Sequence, residues 1–167
     1  MINRGKQFED IIKHAFLKVR TVSIDRLHDQ TTGFANSSNI CDFIVYKEPY
    51  EYYIECKTVH GNTLPFHNIS ETQWNGMLDK IRIPGVRAGV ICWWVDNDVT
   101  AFIPIELLND LRNELGWKSV RYDYIDDYCN DNDELLVNRL KPIKINGKKK
   151  KVFYDYDMIE FFKEIEK

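Results

Sequence analysis

The sequence is poor in cysteine and has no paired-cysteine motif. Its four cysteines (Cys41, Cys56, Cys92 and Cys129) are widely separated, and none has a C-x-x-C partner. This distribution argues against a disulfide framework and against a zinc site. The chain also has no apolar run close to the roughly 20 residues of a membrane helix, and its charged start has no apolar signal-peptide core. We therefore expect reduced thiols and a cytoplasmic location.

Other catalytic motifs are absent as well, and the overall charge is uninformative. There is no Gly-rich phosphate loop, and the four histidines show no HExxH spacing, which argues against nucleotide hydrolysis and a helix-borne zinc site. The net charge of −3 gives no global indication of nucleic-acid binding. The charge is uneven, however, because residues 139–151 are strongly basic and residues 123–134 are acidic. A local basic face is enough to hold phosphates, and we expect the acidic run to be a solvated loop.

The apolar residues that are present predict one folded domain over residues 1–167. A hydrophobic content of 44% and an aromatic content of 13% are typical of a globular protein. Helical periodicity marks residues 5–19 as an amphipathic helix, and Ser70 is expected to cap a second helix. The element order αβββαββα indicates an α/β or α+β domain. A tight turn is predicted at Asn146-Gly147, between strands at 141–145 and 151–156.

A β-hairpin over residues 42–58 carries three charges that a half-buried hairpin does not need. If its strands are residues 42–46 and 51–58, closure of the turn pairs residues whose numbers sum to 97, so Asp42 lies opposite Glu55. Cross-strand partners have Cβ atoms about 4.5–5.5 Å apart, and two like charges so placed repel each other. Lys57 projects from the same face as Glu55. The set predicts a Mg²⁺ site with an ammonium beside it; the alternative is a strand whose charges simply face water.

The same residues resemble a known catalytic motif. Glu55-Cys56-Lys57 stands thirteen positions after Asp42, which resembles the D…(D/E)-x-K core of the PD-(D/E)XK nuclease superfamily. The segments NRGKQFED, CDFIVY, YYIECKT and LPFHNI, followed by Gln73, occur in an order that is similar to RecU-type Holliday junction resolvases. This resemblance covers roughly residues 3–95.

The resemblance implies a fold, an activity and a set of site residues. The fold would be an α/β, restriction-endonuclease-like mixed sheet flanked by helices. The activity would be that of a Mg²⁺-dependent homodimeric endonuclease, with Mn²⁺ as a substitute, that cuts four-way DNA junctions in recombination. Asp42, Glu55 and Gln73 would bind metal, Lys57 would be the catalytic lysine, and Glu9 would be a further catalytic carboxylate. Gln73 also stands three residues after Ser70, so a capping box is an equal alternative for it, and Glu9 could be only a first-turn acid.

DNA contacts are expected from basic residues at both ends of the chain. By the resemblance these are Arg4, Lys6 and Arg26, and the basic run adds Lys144, Lys148 and Lys149, which would hold phosphates without reading sequence. Each could instead be an ordinary solvated charge.

The sequence departs from the family pattern in three places. Cys41 stands where the superfamily often has proline, and Ile40 stands where relatives often have a hydroxyl residue. Only the loop from Arg26 to Cys41 is available in place of the long stalk that bacterial relatives insert into the junction. Two alternatives therefore stay open: a nuclease of the same core that acts on flap or duplex DNA, and a non-catalytic DNA-binding scaffold.

Overall fold

The computed structural model describes residues 3–27, 39–130 and 141–167. Its helices are α1 (Arg4–Leu17), α2 (Glu71–Lys80), α3 (Ile105–Asn113), α4 (Tyr122–Asn130) and α5 (Met158–Ile165). Its strands are β1 (Ser23–Arg26), β2 (Phe43–Lys47), β3 (Tyr50–Val59), β4 (Thr63–Pro65), β5 (Val86–Trp94), β6 (Val99–Pro104), β7 (Ser119–Arg121), β8 (Ile143–Lys144), β9 (Gly147–Lys149) and β10 (Tyr154–Tyr156). None of the helices in these ranges is long and apolar enough to cross a membrane.

A six-stranded mixed sheet forms the centre of the fold, in the order β1-β2-β3-β5-β6-β8. The pair β3–β5 is parallel, and the other pairs are antiparallel. A parallel pair needs a long crossover connection, and here that connection includes α2. Two small two-stranded sheets, β4–β7 and β9–β10, lie outside the main sheet.

Helices cover both faces of the sheet. Side chains of β3 alternate between the faces, so Ile54 packs in the core beneath α1 and α5, whereas Tyr53 packs in the core that α2, α3 and α4 cover. The first core is rich in aromatic contacts, such as Phe8 with Trp93 at a centroid distance of 5.7 Å. This arrangement confirms the predicted mixed sheet flanked by helices, and α1 confirms the helix predicted over residues 5–19.

The turn predicted at Asn146-Gly147 is wrong. The segment before it forms β8, which pairs with β6 instead of with the segment after it. Gly147 is the first residue of β9 and lies opposite Tyr156. A Cβ atom on Gly147 would come within 2.7 Å of the Asp155 carbonyl oxygen. Glycine is therefore needed here because two strands approach each other closely. In the sequence alone, the same Asn-Gly pair is typical of a tight turn.

The acidic run is not a loop over the part of it that the structure describes. Residues 122–130 form α4, and Ile125 within it is completely buried. Arg121, just before the helix, neutralises Asp123 at 2.6 Å. The buried Ile125 and the ion-paired Asp123 stabilise this short helix, although its acidic composition is typical of a solvent-exposed loop. Residues 131–134 of the run lie outside the described ranges.

Candidate active site

Asp42 is locked against β3 by its backbone and its side chain. The β2–β3 ladder pairs Phe43 with Ile54, which confirms the predicted register. The Asp42 N–H donates to the Ile54 carbonyl at 3.0 Å. The Oδ2 atom of Asp42 accepts from the Cys56 N–H at 2.8 Å. The carboxylate thus takes the place of a backbone acceptor at the end of the ladder, and this fixes its direction.

Glu55 is a buried carboxylate on the strand beside Asp42, with only 2% of its surface exposed. Its Oε1 accepts from the Lys57 ammonium at 2.6 Å. Its Oε2 is buried and has no hydrogen-bond partner among the described residues. A buried oxygen without a partner costs roughly 1–3 kcal/mol, and more if it is charged. Such an atom requires an explanation, and at a carboxylate pair a bound cation provides one.

The two carboxyl groups make each other harder to ionise. Burial raises the pKa of Asp42 to about 7, with the Glu55 charge as the next cause. Burial also raises the pKa of Glu55, and the ammonium of Lys57 opposes this rise. One lysine therefore only partly compensates two acids, of which Glu55 is buried and Asp42 is partly buried. A further positive charge at this position would be favourable.

Gln73 caps α2, which is one of the two alternatives that the sequence left open, and it also lies beside Glu55. It completes a capping box on α2, because its backbone N–H donates to Ser70 Oγ at 3.2 Å and its Oε1 accepts from the Ser70 N–H at 3.0 Å. Its side-chain amide also lies close enough to Glu55 to lower the pKa of that carboxyl. Because the amide oxygen is engaged by the cap, metal ligation by Gln73 would require that bond to open. Its role as a metal ligand stays a prediction.

Glu9 approaches the carboxylate pair from α1. It forms an ion pair with Arg26 on β1, which also bonds Asp10 at 2.7 Å. Burial and the nearby Asp42 charge together raise the pKa of Glu9. The structure thus brings Glu9 near the site as predicted, with Arg26 attached to it. Arg26 as a DNA contact stays a prediction, and it would require these ion pairs to open.

The described residues supply two facing carboxylates for a metal. Within residues 3–27, 39–130 and 141–167 there is no group of three or more His, Cys, Asp or Glu side chains that could hold an ion. Mg²⁺ commonly uses only one or two carboxylates and keeps several waters. The unpartnered Glu55 Oε2 and the raised pKa values of both acids fit such an ion. The donor set is therefore chemically suited to Mg²⁺ or Mn²⁺.

Sequence reasoning missed why isoleucine stands at position 40. A Cβ atom on Gly76 of α2 would come within 2.4 Å of the Ile40 side chain, so Ile40 packs directly on the bare backbone of the helix. This contact fixes the segment that leads into Asp42. A glycine inside a helical pattern was the available signal, since such a residue often marks a close packing contact.

The predicted lysines of the C-terminal third do not converge on the carboxylates. Lys144 lies on β8, three strands from β3, which is about 14 Å at normal strand spacing. Lys148 is exposed on β9, and Lys149 beside it pairs with Asp98. Lys6 is exposed on α1. Contact of these lysines with DNA stays a prediction.

A second polar cluster lies where β3 ends. Arg4 Nη1 lies 3.2 Å from His60 Nε2, and His60 Nδ1 lies 2.9 Å from Asp96 Oδ1. Asp96 Oδ2 also accepts from the Gly61 N–H at 2.7 Å. Arg4 was predicted as a DNA contact. No sequence pattern pointed to His60 and Asp96, because they are 36 positions apart and meet only when β3 pairs with β5.

Comparison with known proteins gives structural likenesses but no sequence relative. No family model matches the chain, and no curated protein matches it. A solved structure, the Holliday junction resolvase Hjc of Archaeoglobus fulgidus, shares 19% sequence identity, and the match covers 62% of this chain and 78% of Hjc with a TM-score of 0.47. A likeness this distant carries no functional weight, so the case for function rests on the site. The RecU-type resemblance stays a prediction.

Proposed function

We propose that this chain is a divalent-metal-dependent endonuclease that hydrolyses phosphodiester bonds in branched DNA and resolves four-way junctions. One observation carries the proposal: Asp42 lies opposite the buried Glu55 of β3. Of the two Glu55 carboxylate oxygens, Oε2 has no hydrogen-bond partner among the described residues and Oε1 accepts from the Lys57 ammonium at 2.6 Å. A solvent-facing strand would not bury Glu55 to 2% exposure. A binding scaffold gains nothing from an acid pair that resists ionisation, because such a pair costs stability.

Each site residue has a separate task in this reaction. Asp42 and Glu55 would hold Mg²⁺ or Mn²⁺, with Gln73 as a third donor. When bound, the cation supplies Lewis acidity at a phosphate oxygen and lowers the pKa of a water. The backbone N–H of Cys56 orients Asp42. Lys57 orients Glu55 through Oε1 and provides positive charge where negative charge develops on the phosphoryl group.

The substrate and assembly are part of the same proposal. Resolution of a junction requires two cuts in opposing strands, which a two-fold homodimer places symmetrically. Backbone phosphates would be contacted by the basic residues predicted from the sequence: Arg4, Lys6, Arg26, Lys144, Lys148 and Lys149. Such contacts position DNA without reading its sequence, as a structure-selective enzyme needs.

A cleavage comparison tests the proposal. Purified protein is incubated with a synthetic four-way junction, a flap and a linear duplex, each with Mg²⁺ or with EDTA. We expect Mg²⁺-dependent, paired cuts in the junction, little cutting of the duplex, and none by Asp42→Asn. Equal cutting of all three substrates would indicate a nuclease without junction selectivity. Binding of the junction without any metal-dependent cutting would indicate the scaffold instead.

The two residues of the α2 cap allow structural and catalytic effects to be separated. Ser70→Ala and Gln73→Ala both break the capping box, so each is expected to lower the free energy of unfolding by about 1 kcal/mol. Only Gln73→Ala also removes the amide beside Glu55. We therefore expect a further loss in cleavage rate of roughly 10-fold for Gln73→Ala and a rate within about two-fold of wild type for Ser70→Ala. Thermal unfolding and single-turnover cleavage measure the two effects; equal cleavage rates in both variants would limit Gln73 to capping.

A further inference from the structure

The cluster lies just beyond the end of β3, the strand that carries the proposed catalytic lysine. His60 is the first residue after that strand and follows Lys57 by three positions. Arg4 reaches this point from the start of α1, and Asp96 reaches it from the short turn after β5. All three side chains are accessible to a ligand, with His60 at 65% and Asp96 at 51% side-chain exposure.

The hydrogen bonds in this cluster fix the form of the histidine. Arg4 has only N–H donors, so the His60 Nε2 atom that it contacts must be the acceptor. The Nδ1 atom must then carry the proton and donate it to Asp96 Oδ1. Asp96 is held in turn by the Gly61 N–H. The chain Gly61–Asp96–His60 thus presents a neutral imidazole lone pair to the arginine.

The hydrogen-bond partner of Arg4 is a histidine and not a carboxylate. Arg26, Arg112 and Arg121 each pair with a carboxylate, which cancels their charge toward a phosphate. Within the described part of the chain Arg4 forms no salt bridge of this kind. While the nearby Asp96 carboxylate is attracted to its charge, its contact with His60 orients one nitrogen and leaves the remaining N–H donors of the guanidinium available. This is what bidentate binding of a phosphate requires.

We propose that His60 and Asp96 are positioning residues that hold Arg4 as a clamp for a phosphate of the DNA backbone. This inference rests on the proposed nuclease function. It names the phosphodiester backbone as the ligand of the cluster, and it gives the DNA a contact in addition to the carboxylate site. Neither His60 nor Asp96 touches the DNA in this scheme.

The salt dependence of DNA binding tests the inference. Affinity for a fluorescent four-way junction is measured in EDTA, which prevents cutting, at about pH 8.5, where histidine side chains are neutral. Each phosphate contact contributes about 0.9 to the slope of log K against log salt concentration. We expect Arg4→Gln and His60→Ala each to lower that slope by about 0.9 and the affinity by roughly 3- to 10-fold. The substitution His60→Ala does not remove the arginine, so a lower slope in this variant would indicate that Arg4 is no longer held in position.

The controls separate positioning from other causes. The double variant Arg4→Gln/His60→Ala is expected to match either single variant, because both remove the same contact. His67→Ala, which removes another exposed histidine, is expected to bind like wild type. His60→Gln, which can again offer an acceptor, is expected to recover part of the affinity and covers the case in which alanine disturbs the fold. An unchanged slope in His60→Ala, or additive losses in the double variant, would overturn the inference while junction binding itself persists. Failure of wild-type protein to bind DNA would instead overturn the nuclease proposal as well.

Discussion

Replacing Lys57 by alanine is expected to lower the rate of junction cleavage by roughly 100- to 1000-fold, the usual cost of removing one electrostatic stabiliser of a transition state. DNA affinity is expected to stay within about two-fold of wild type, because one partly shielded ammonium contributes little to a multi-phosphate interface. Lys57 is ion-paired to Glu55 at 2.6 Å and its side chain is only 22% exposed. Its charge is therefore directed at the carboxylate pair and not at the wider DNA surface.

Lys47 provides a matched control for this experiment. It is also ion-paired, to Glu166 at 2.7 Å, and its side chain is 21% exposed. It lies at the end of β2 that joins the hairpin turn, whereas Asp42 precedes the other end of that strand. Lys47→Ala is therefore expected to cleave at nearly the wild-type rate. Single-turnover cleavage and a gel-shift assay measure both variants, and a parallel loss of binding and cleavage in Lys57→Ala would remove its catalytic assignment.

Asp42→Asn is expected to stabilise the metal-free protein at neutral pH while abolishing cleavage. Asp42 has an ordinary pKa of 3.8, which the fold raises to about 7. Between these values the folded state binds more protons than the unfolded state, so the free energy of unfolding falls as the pH rises from about 4 to about 7. Asparagine has no such dependence. Because Glu55 shares the cost of ionisation, we expect the variant to gain about 2 kcal/mol near neutral pH.

Thermal unfolding in EDTA from about pH 4 to about pH 8 measures this gain. The difference in Tm between Asp42→Asn and wild type is expected to be near zero at the acid end and about 4–8 °C at the alkaline end. Saturating Mg²⁺ should then raise the wild-type Tm and leave the variant nearly unchanged, since binding to the folded state stabilises it. A Tm difference that does not change with pH would contradict the buried acid pair, and an equal Mg²⁺ response in both proteins would place the ion elsewhere.

The sequence predicted the centre of the site because its signals there are local. The register of Asp42 and Glu55 follows from a short turn and from strand alternation, and the position of Lys57 follows from the same period of two. The helix cap at Ser70 is likewise a pattern of four residues. These features need no information about distant parts of the chain.

What the sequence could not predict depends on contacts between distant segments. Gly147 reads as a turn because its close approach to Asp155 is tertiary. The Arg26–Glu9 ion pair joins β1 to α1, and the contact of His60 with Asp96 exists only because β3 and β5 lie side by side. Sequence periodicity carries no information about such pairs. Residues that are distant in the sequence and contact a site residue are therefore identified only in the three-dimensional structure.

Helix α2 contacts both segments that carry the carboxylate pair. Gln73 and Gly76, three positions apart, share one face of the helix; the first reaches Glu55, and the second receives Ile40 just before Asp42. The segments that carry Asp42 and Glu55 thus both contact the same helix. A tilt of α2 would therefore move the two acids together and preserve the distance between them. Loss of either contact with α2 would instead let the distance between Asp42 and Glu55 vary. A substitution in α2 could therefore abolish metal binding without changing either acid.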